Sequence, residues 1–185
     1  MKRLIDIHTH NPHPEVTSPQ MVGIHPWDAE KVIPLPDFEE CDIVGETGLD
    51  YATTTSREAQ RRLFDLHLQA AARLGKPVVI HNVKATDDVL RILGNYPTIR
   101  KVVFHGFIGS PEQALSATSR GYYLSFGERT FRSPKSIEAM KATPIDRLFF
   151  ETDESSVDIE EIYSKAAEVL AVPVKILEYI THENF

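Results

Sequence analysis

The sequence predicts an α/β fold with a parallel β-sheet, on two observations. Short apolar runs rich in β-branched and aromatic residues recur along the 185 residues, and stretches with helical periodicity lie between them. Most of these runs are apolar on both faces, as are strands of a sheet that is covered on both sides. Strands that alternate with helices are typical of parallel sheets, so we expect one α/β domain over residues 1–185.

Seven strands are predicted. In chain order they are RLIDIH, MVGIHP, DIVGETG, PVVIH, KVVFHGF, YYLSFG and RLFFETD. The predicted helices are SREAQRRLFDLHLQAAARLG, TDDVLRILGNY, SPEQALSATSRG and the tail DIEEIYSKAAEVLAVPVKILEYITHENF. Ser56 can cap the first helix and Gly75 can end it, whereas the tail should form two helices because Pro173 interrupts it.

The composition is that of an ordinary globular protein, with 42% apolar and 25% charged residues. No apolar run is long enough to span a bilayer and the first residues do not resemble a signal peptide, so we expect no membrane association. A single cysteine, Cys41, excludes an internal disulfide and favours a cytoplasmic location. The net charge of −7 argues against broad binding to duplex DNA, although a bound divalent metal could supply positive charge locally.

Histidine and carboxylate side chains collect at the ends of the predicted strands. In parallel α/β folds, the carboxyl ends of several strands converge at one edge, where sites are built. The residues at these ends are His8, His10, His25, Glu46, His81, His105 and Asp153. Each has a structural alternative when taken singly, such as Asp153 capping a helix, but one joint site accounts for all of them together.

The stretch LIDIHTH illustrates the pattern. Side chains two residues apart on a strand leave from the same face, so Asp6, His8 and His10 should point the same way; a polar turn is the alternative. Four of the histidines at strand ends, together with the two carboxylates and without a thiolate cluster, suit Zn²⁺, Mn²⁺ or a similar ion. Six ligands are too many for one tetrahedral ion but enough for two ions that share a carboxylate.

These motifs resemble the TatD family of metal-dependent hydrolases, within the amidohydrolase-type barrel superfamily. The segments that carry the resemblance, in the family's order, are IDIHTH, GIHPW, IVGETGLDY, EAQRRLFDLHLQAAARLGKPVVIH, VFHGFIG, GYYLSFG and PIDRLFFETD. The resemblance implies a TIM-type (β/α) barrel that carries one or two divalent metal ions (Zn, Mn or Mg) at its C-terminal face.

The resemblance also implies a role for each matching residue. The six metal ligands would be His8, His10, Glu46, His81, His105 and Asp153. His8, His10 and Asp153 would hold one ion. His81 and His105 would hold the other. Glu46 would bridge the ions and fix their spacing, and Asp153 would act as the general base. His25 would line the substrate pocket. Lys84 is not itself a matching residue, but it lies beside one and would supply a positive charge for the substrate.

The sequence departs from the family pattern in its length. Only NPHPEVTSPQMV separates the His-x-His and Gly-x-His-Pro motifs, whereas a βα unit with its crossover takes about 30 residues. We therefore expect a shortened member with an incomplete or distorted barrel of seven strands instead of eight. Either the first strand pairs directly with MVGIH, or a gap remains that a homodimer could cover.

Two further departures from the family pattern concern the binding of a phosphate group. Val83 stands where the family usually has arginine, and the neighbouring Lys84 offers a point charge instead of a bidentate fork. Glu154 follows Asp153 where a small residue and proline are usual, and its carboxylate would repel a phosphate.

The predicted activity is metal-dependent hydrolysis of an ester bond, foremost a nucleic-acid phosphodiester, as in a TatD-like deoxyribonuclease. The substrate would be a nucleic-acid or small-molecule phosphoester. Two alternatives remain at this point: hydrolysis of an amide or lactone at the same site, and a metal-binding scaffold with little catalysis.

Overall fold

The structure, a computed structural model, describes residues 4–185, so Arg3 of the predicted strand RLIDIH lies outside the described residues. The chain divides into two compact units. The central unit is Gln20–Phe104, and the terminal unit consists of the residues up to Pro19 together with His105–Phe185.

The central unit contains four parallel strands, each paired with the next along the chain. They are β1 (Met21–Val22), β2 (Ile43–Asp50), β3 (Val78–Val83) and β4 (Val102–Phe104). The helix α1 (Arg57–Leu74) connects β2 to β3, and α2 (Thr86–Leu93) connects β3 to β4. The predicted alternation of parallel strands and helices is confirmed in this unit.

Helix α1 begins and ends where the sequence predicts. The Ser56 side chain accepts a hydrogen bond from the Ala59 amide at 3.3 Å, and Gly75 adopts a left-handed conformation with φ 66°. His67 on this helix is fully buried, and it accepts a hydrogen bond from the Ile24 amide at 2.9 Å. Burial lowers the pKa of His67, so this histidine is a neutral core residue.

Strands β2 and β3 approach each other closely beside His81. Gly48 pairs with His81 in the register of the two strands and has φ +145°. A Cβ atom at Gly48 would lie 2.0 Å from the His81 carbonyl oxygen, so no other residue fits there. The glycine in the motif GETGLDY therefore allows the backbone contact that holds His81 beside β2.

The terminal unit contains the paired parallel strands β5 (Tyr123–Phe126) and β6 (Leu148–Phe150). Its helices are α3 (Pro111–Thr118), α4 (Pro134–Ala142), α5 (Ile159–Leu170) and α6 (Val174–Asn184). The predicted break of the tail near Pro173 is confirmed, whereas α4 was not among the predicted helices. Across residues 4–185, no helix combines the length and the apolar character that a membrane span requires.

Residues 4–10, which include the predicted strand RLIDIH apart from Arg3, form isolated parallel bridges instead of a continuous strand. Ile5 bridges to Thr17, Thr9 bridges to Asp153, and the Ile7 amide donates to the Phe150 carbonyl at 3.1 Å. The described residues thus contain six strands and not the seven predicted, because this segment pairs with Thr17 of a loop, with the last residue of β6 and with Asp153 beyond it. No uninterrupted ladder forms there.

Tyr163 of α5 anchors this segment in the core of the terminal unit. Its hydroxyl donates to the Ile5 carbonyl at 3.0 Å and lies 2.9 Å from the Thr181 hydroxyl of α6. The side chain is fully buried, and burial raises its pKa above the usual range. The segment that carries His8 and His10 is therefore held by both C-terminal helices.

Candidate metal centre

His8, His10 and Asp153 come together in the terminal unit. The Nε2 atoms of both histidines lie 3.5 Å from the same oxygen, Asp153 Oδ1. The two imidazole centroids are 5.2 Å apart, so the side chains two residues apart do share a face. One ligand atom from each of the three residues lies within 4.8 Å of the others, which is close enough for a single cation to contact all three.

Backbone pairing places Asp153 against the two histidines. The Asp153 amide donates to the His8 carbonyl at 2.9 Å, and the His10 amide donates to the Asp153 carbonyl at 3.0 Å. Asp153 has φ 54°, a conformation that L-residues adopt infrequently. This backbone turn directly after β6 directs the carboxylate toward the histidines, as in other sites where local strain accompanies function.

A buried network behind Asp153 fixes the position of the same turn. Asp6 accepts hydrogen bonds from the Thr152 amide at 3.0 Å and from the Thr152 hydroxyl at 2.7 Å. The Thr152 hydroxyl also lies 2.8 Å from the Thr9 hydroxyl. Burial raises the pKa of Asp6 to about 6, although the bonds from Thr152 oppose that shift. Asp6 thus supports the cluster from behind.

His105 and Glu151 extend this group. The His105 ring lies 4.4 Å from the His8 ring, and its Nδ1 atom is 3.2 Å from Glu151 Oε1. Ligand atoms of His105, Glu151 and Asp153 also lie within 4.8 Å of one another. We call the five residues the Asp153 cluster; they are His8, His10, His105, Glu151 and Asp153.

The Asp153 cluster fits a divalent cation. Glu151 is 1% exposed, and among residues 4–185 its Oε2 atom has no hydrogen-bond partner. A buried carboxylate oxygen without a partner is costly unless a positive charge compensates it. Imidazole nitrogens and carboxylate oxygens are donors that Zn²⁺ and Mn²⁺ accept.

A second group lies in the central unit, where Glu46 and His81 stand within β2 and β3, Asp50 ends β2 and His25 follows β1. His81 Nδ1 is 2.6 Å from Glu46 Oε1, and His25 Nε2 is 3.3 Å from the same oxygen. His81 Nε2 is 3.1 Å from Asp50 Oδ2. We call these four residues the Glu46 cluster; they are His25, Glu46, Asp50 and His81. Ligand atoms of the two histidines and Glu46 lie within 4.8 Å of one another.

Asp50 is the buried support of the Glu46 cluster. Its carboxylate accepts hydrogen bonds from the Trp27 indole at 2.8 Å and from the Ala52 amide at 2.9 Å, besides its contact with His81. Burial alone would raise the pKa of Asp50, but these hydrogen bonds outweigh it and lower the pKa. An ionised Asp50 orients the His81 ring, as carboxylates commonly do for metal-binding histidines.

The structure brings most of the predicted site residues into these clusters. His8, His10, His105 and Asp153 meet in the terminal unit, and His25, Glu46 and His81 meet in the central unit. Lys84 follows β3 and is exposed. The pairing of His81 with His105 on one ion, the bridging role of Glu46 and the substrate contacts of His25 and Lys84 stay predictions.

Two supporting residues were not among the predicted site residues. Glu151 directly follows the last residue of β6 in the same motif as Asp153, and this position was the available signal. Asp50 is the last residue of β2, and its carboxylate also accepts a hydrogen bond from the Ala52 amide. Its contact with His81 depends on the register of β2 and β3, which the sequence alone does not give.

The fold and the donor clusters define a metal-dependent α/β hydrolase, and comparison with known proteins gives the family. The family model described as TatD related DNase matches residues 12–185. The chain belongs to the TatD family, as its motifs predict.

Individual relatives agree with this assignment. The chain is 31% identical over 186 residues to the "Uncharacterized metal-dependent hydrolase YcfH" of Escherichia coli K12. The aligned region covers 88% of this chain and 70% of that protein. It is 33% identical over 143 residues to the "Putative deoxyribonuclease TATDN1 homolog" of Enterocytozoon bieneusi, over 74% of this chain and 51% of that protein. The chain thus spans between half and about two thirds of these relatives.

Solved structures confirm the predicted α/β fold of TIM-barrel type. The TatD homologue YJJV from Escherichia coli K12 superposes with a TM-score of 0.80 at 21% identity, over 100% of this chain and 85% of that chain. A TatD family hydrolase from Entamoeba histolytica gives a TM-score of 0.78 at 18% identity, over 92% and 74% of the two chains.

Proposed function

We propose that this protein is a divalent-metal-dependent phosphodiesterase that hydrolyses nucleic acid, foremost DNA. The observation that carries the proposal is the convergence of His8 and His10 on one oxygen of Asp153, beside a buried carboxylate with an unmet oxygen. The family description and the name of the Enterocytozoon relative support a deoxyribonuclease over an amide or lactone hydrolase.

His8, His10 and Asp153 would hold one cation, and His105 with Glu151 would complete its surroundings. When bound, a divalent cation lowers the pKa of a coordinated water and polarises a phosphoryl oxygen. His25, Glu46 and His81 offer a second set of donors for a cation in the central unit. The identity of the metal is left to measurement, because imidazole and carboxylate donors accept several ions.

The protein side chains then carry the proton transfers. Asp153 would accept the proton of the attacking water as general base. Asp6 would keep that carboxylate oriented through its two hydrogen bonds to Thr152. Asp50 would hold the His81 ring toward Glu46. The positive charge needed to attract a phosphodiester to a protein of net charge −7 would come from the cation.

The test is a nuclease assay combined with metal analysis on purified protein. Wild-type protein should cleave single- and double-stranded DNA when Mn²⁺, Mg²⁺ or Zn²⁺ is added and should lose activity in EDTA. Asp153→Asn and His81→Ala should be inactive, while the control His182→Ala, in α6, should keep its activity. Equal cleavage by all four proteins would indicate a contaminating nuclease and would refute the proposal.

A panel of substrates distinguishes the remaining alternatives. Phosphodiester, lactone and amide compounds should be tested under the same metal conditions, and we expect turnover of the phosphodiesters only. Turnover of lactones or amides alone would replace the proposal with the second hydrolytic activity. Metal binding without turnover of any substrate would indicate a metal-binding scaffold. Cytoplasmic location and a homodimer stay predictions, and size-exclusion chromatography with light scattering tests the dimer.

A further inference from the structure

Trp27 is the only tryptophan in the chain, and it is 58% exposed. Its indole lies next to the Glu46 cluster. The centroid of the indole is 4.6 Å from the centroid of the His25 ring and 6.3 Å from the centroid of the His81 ring. Trp27 thus leaves a large aromatic surface open to solvent beside a polar site, and tryptophan is enriched at interfaces because it combines an apolar ring with one polar N–H group.

One hydrogen bond holds the Trp27 indole and two others hold the Trp27 backbone. Its Nε1 donates to Asp50 Oδ2 at 2.8 Å, the Trp27 amide donates to His25 Nδ1 at 3.2 Å, and the Thr55 hydroxyl donates to the Trp27 carbonyl at 3.3 Å. The Asp50 side chain that anchors it is itself 5% exposed. Because the ring is already ordered, a ligand that stacks on it loses little of its binding energy to side-chain ordering.

The polar edge of the indole is occupied, and this leaves an apolar surface for contact. The single N–H group of the indole is bonded to Asp50, so the exposed part of the ring offers no further hydrogen-bond donor. A flat apolar surface without polar groups recognises another flat ring by stacking and does not read its polar edge. Among the parts of a nucleic acid, only the bases have this shape and chemistry.

We propose that Trp27 is a substrate-positioning residue that stacks on a base of single-stranded nucleic acid, beside the histidines of the Glu46 cluster. This inference rests on the proposed function and adds one interaction by which the substrate is bound. With a net charge of −7, the protein gains little affinity from the nucleic-acid backbone, so stacking would supply a large share. Stacking tolerates any base, so no sequence preference is expected.

The test uses a ligand that is neither charged nor hydrolysed. A ten-residue thymidine oligomer with methylphosphonate linkages is added to the protein in EDTA, and the fluorescence of the single tryptophan is recorded. We expect saturable quenching, because the base covers the indole. The matched control ligand is the abasic methylphosphonate oligomer of the same length, which should neither quench nor bind measurably.

Variants locate the effect at Trp27. Binding of the labelled thymidine oligomer, followed by fluorescence anisotropy, should weaken about 5- to 100-fold in Trp27→Ala, as expected for the loss of one stacked base. Trp27→Phe should stay within about threefold of wild type because it keeps an aromatic face. The control Tyr179→Ala removes an aromatic side chain of similar exposure, 54%, and should not change binding.

The outcomes separate this inference from the proposed function. Equal binding of the thymidine and abasic oligomers, or unchanged affinity in Trp27→Ala with a native circular dichroism spectrum, would overturn the stacking role. If Trp27→Ala does not fold, comparable weakening in Trp27→Phe would overturn it instead. Because none of these measurements needs metal or turnover, quenching by the thymidine oligomer in a protein without nuclease activity would refute the proposed function alone.

Discussion

The Asp153 cluster and the Glu46 cluster contain the same residue types, but their histidine and carboxylate side chains are hydrogen-bonded to different extents. In the first, His8 and His10 each stand 3.5 Å from one carboxylate oxygen, at the outer limit of a hydrogen bond, and a Glu151 oxygen has no partner among the described residues. In the second, His81 lies 2.6 Å from Glu46 and 3.1 Å from Asp50, within normal hydrogen-bond distance.

This difference shows that similar ligand types need not bind a cation equally well. A cation that enters the Glu46 cluster must replace short histidine–carboxylate hydrogen bonds, whereas in the Asp153 cluster it meets converging donors and a buried carboxylate that keeps one oxygen without a partner among residues 4–185. We therefore expect the Asp153 cluster to bind the first cation and to bind it more tightly.

The largest expected effect is that of Asp153→Asn. This variant weakens the anionic ligand shared by both histidines, so the affinity for Zn²⁺ should fall by more than about 100-fold. His25→Asn in the Glu46 cluster should change the tightest Zn²⁺ affinity less than about tenfold. Competition with a fluorescent zinc chelator at pH 7 measures both. Equal losses in the two variants would mean that the clusters do not differ as described.

Glu151→Gln should have the next largest effect. The amide keeps the size of the side chain near His105 but removes the buried negative charge, so Zn²⁺ affinity should fall about 10- to 100-fold. Without metal, the free energy of unfolding should rise, because an amide costs less to bury than a carboxylate whose Oε2 atom has no partner among the described residues. Chelator competition and urea denaturation in EDTA measure these two effects. A variant that loses both stability and affinity would refute this role for Glu151.

Asp88→Asn, in the central unit, should affect stability but not metal binding. Asp88 lies 2.5 Å from the Tyr51 hydroxyl and accepts hydrogen bonds from Arg91 at 2.9 Å and Arg61 at 3.2 Å. The bonds from Tyr51 and Arg91 lower the pKa of Asp88 to about 2, so the ionised form is stabilised in the folded protein.

The direction of the pH dependence of stability follows from the lowered pKa of Asp88. The ionised Asp88 stabilises the folded protein above about pH 4, and this contribution is lost as the pH falls through about 2. Urea denaturation should show Asp88→Asn less stable than wild type by about 1–2 kcal/mol at pH 7, with a smaller difference at pH 3. A pH-independent difference would contradict the assigned pKa, and a loss of Zn²⁺ affinity would link this network to the site.

The smallest expected effect is that of Lys84→Ala. An exposed point charge contributes little to phosphate binding and is screened by salt, so KM for an oligonucleotide should rise about two- to fivefold at low ionic strength and less at high ionic strength. Lys175→Ala, an exposed lysine of α6, is the matched control and should leave KM unchanged. Identical KM values for wild type and Lys84→Ala would remove Lys84 from the predicted substrate contacts.

The sequence predicted those parts of the fold that depend on local signals. The cap of Ser56, the left-handed Gly75 and the break at Pro173 each follow from the chemistry of one residue, and the structure shows all three. The first strand was predicted from its apolar run, but its pairing depends on Thr17 and Asp153, which lie farther along the chain. Such pairing partners are not visible in a local pattern.

The candidate site was predictable to the extent that its residues end strands. His8, His10 and Asp153 were identified in this way because parallel strands bring their ends to one edge. The supporting carboxylates were missed for a physical reason. Glu151 acts through its buried contact with His105, and Asp50 acts through the register of β2 against β3, so their roles depend on three-dimensional contacts.

Anomalous X-ray diffraction from a crystal soaked in Zn²⁺ tests the central claim most directly. We predict an anomalous peak bound by His8, His10 and Asp153 at about 2.0–2.2 Å from their donor atoms, occupied before any other site as the Zn²⁺ concentration rises. A peak that fills first at His25, Glu46 and His81, or no peak within coordination distance of Asp153, would contradict it.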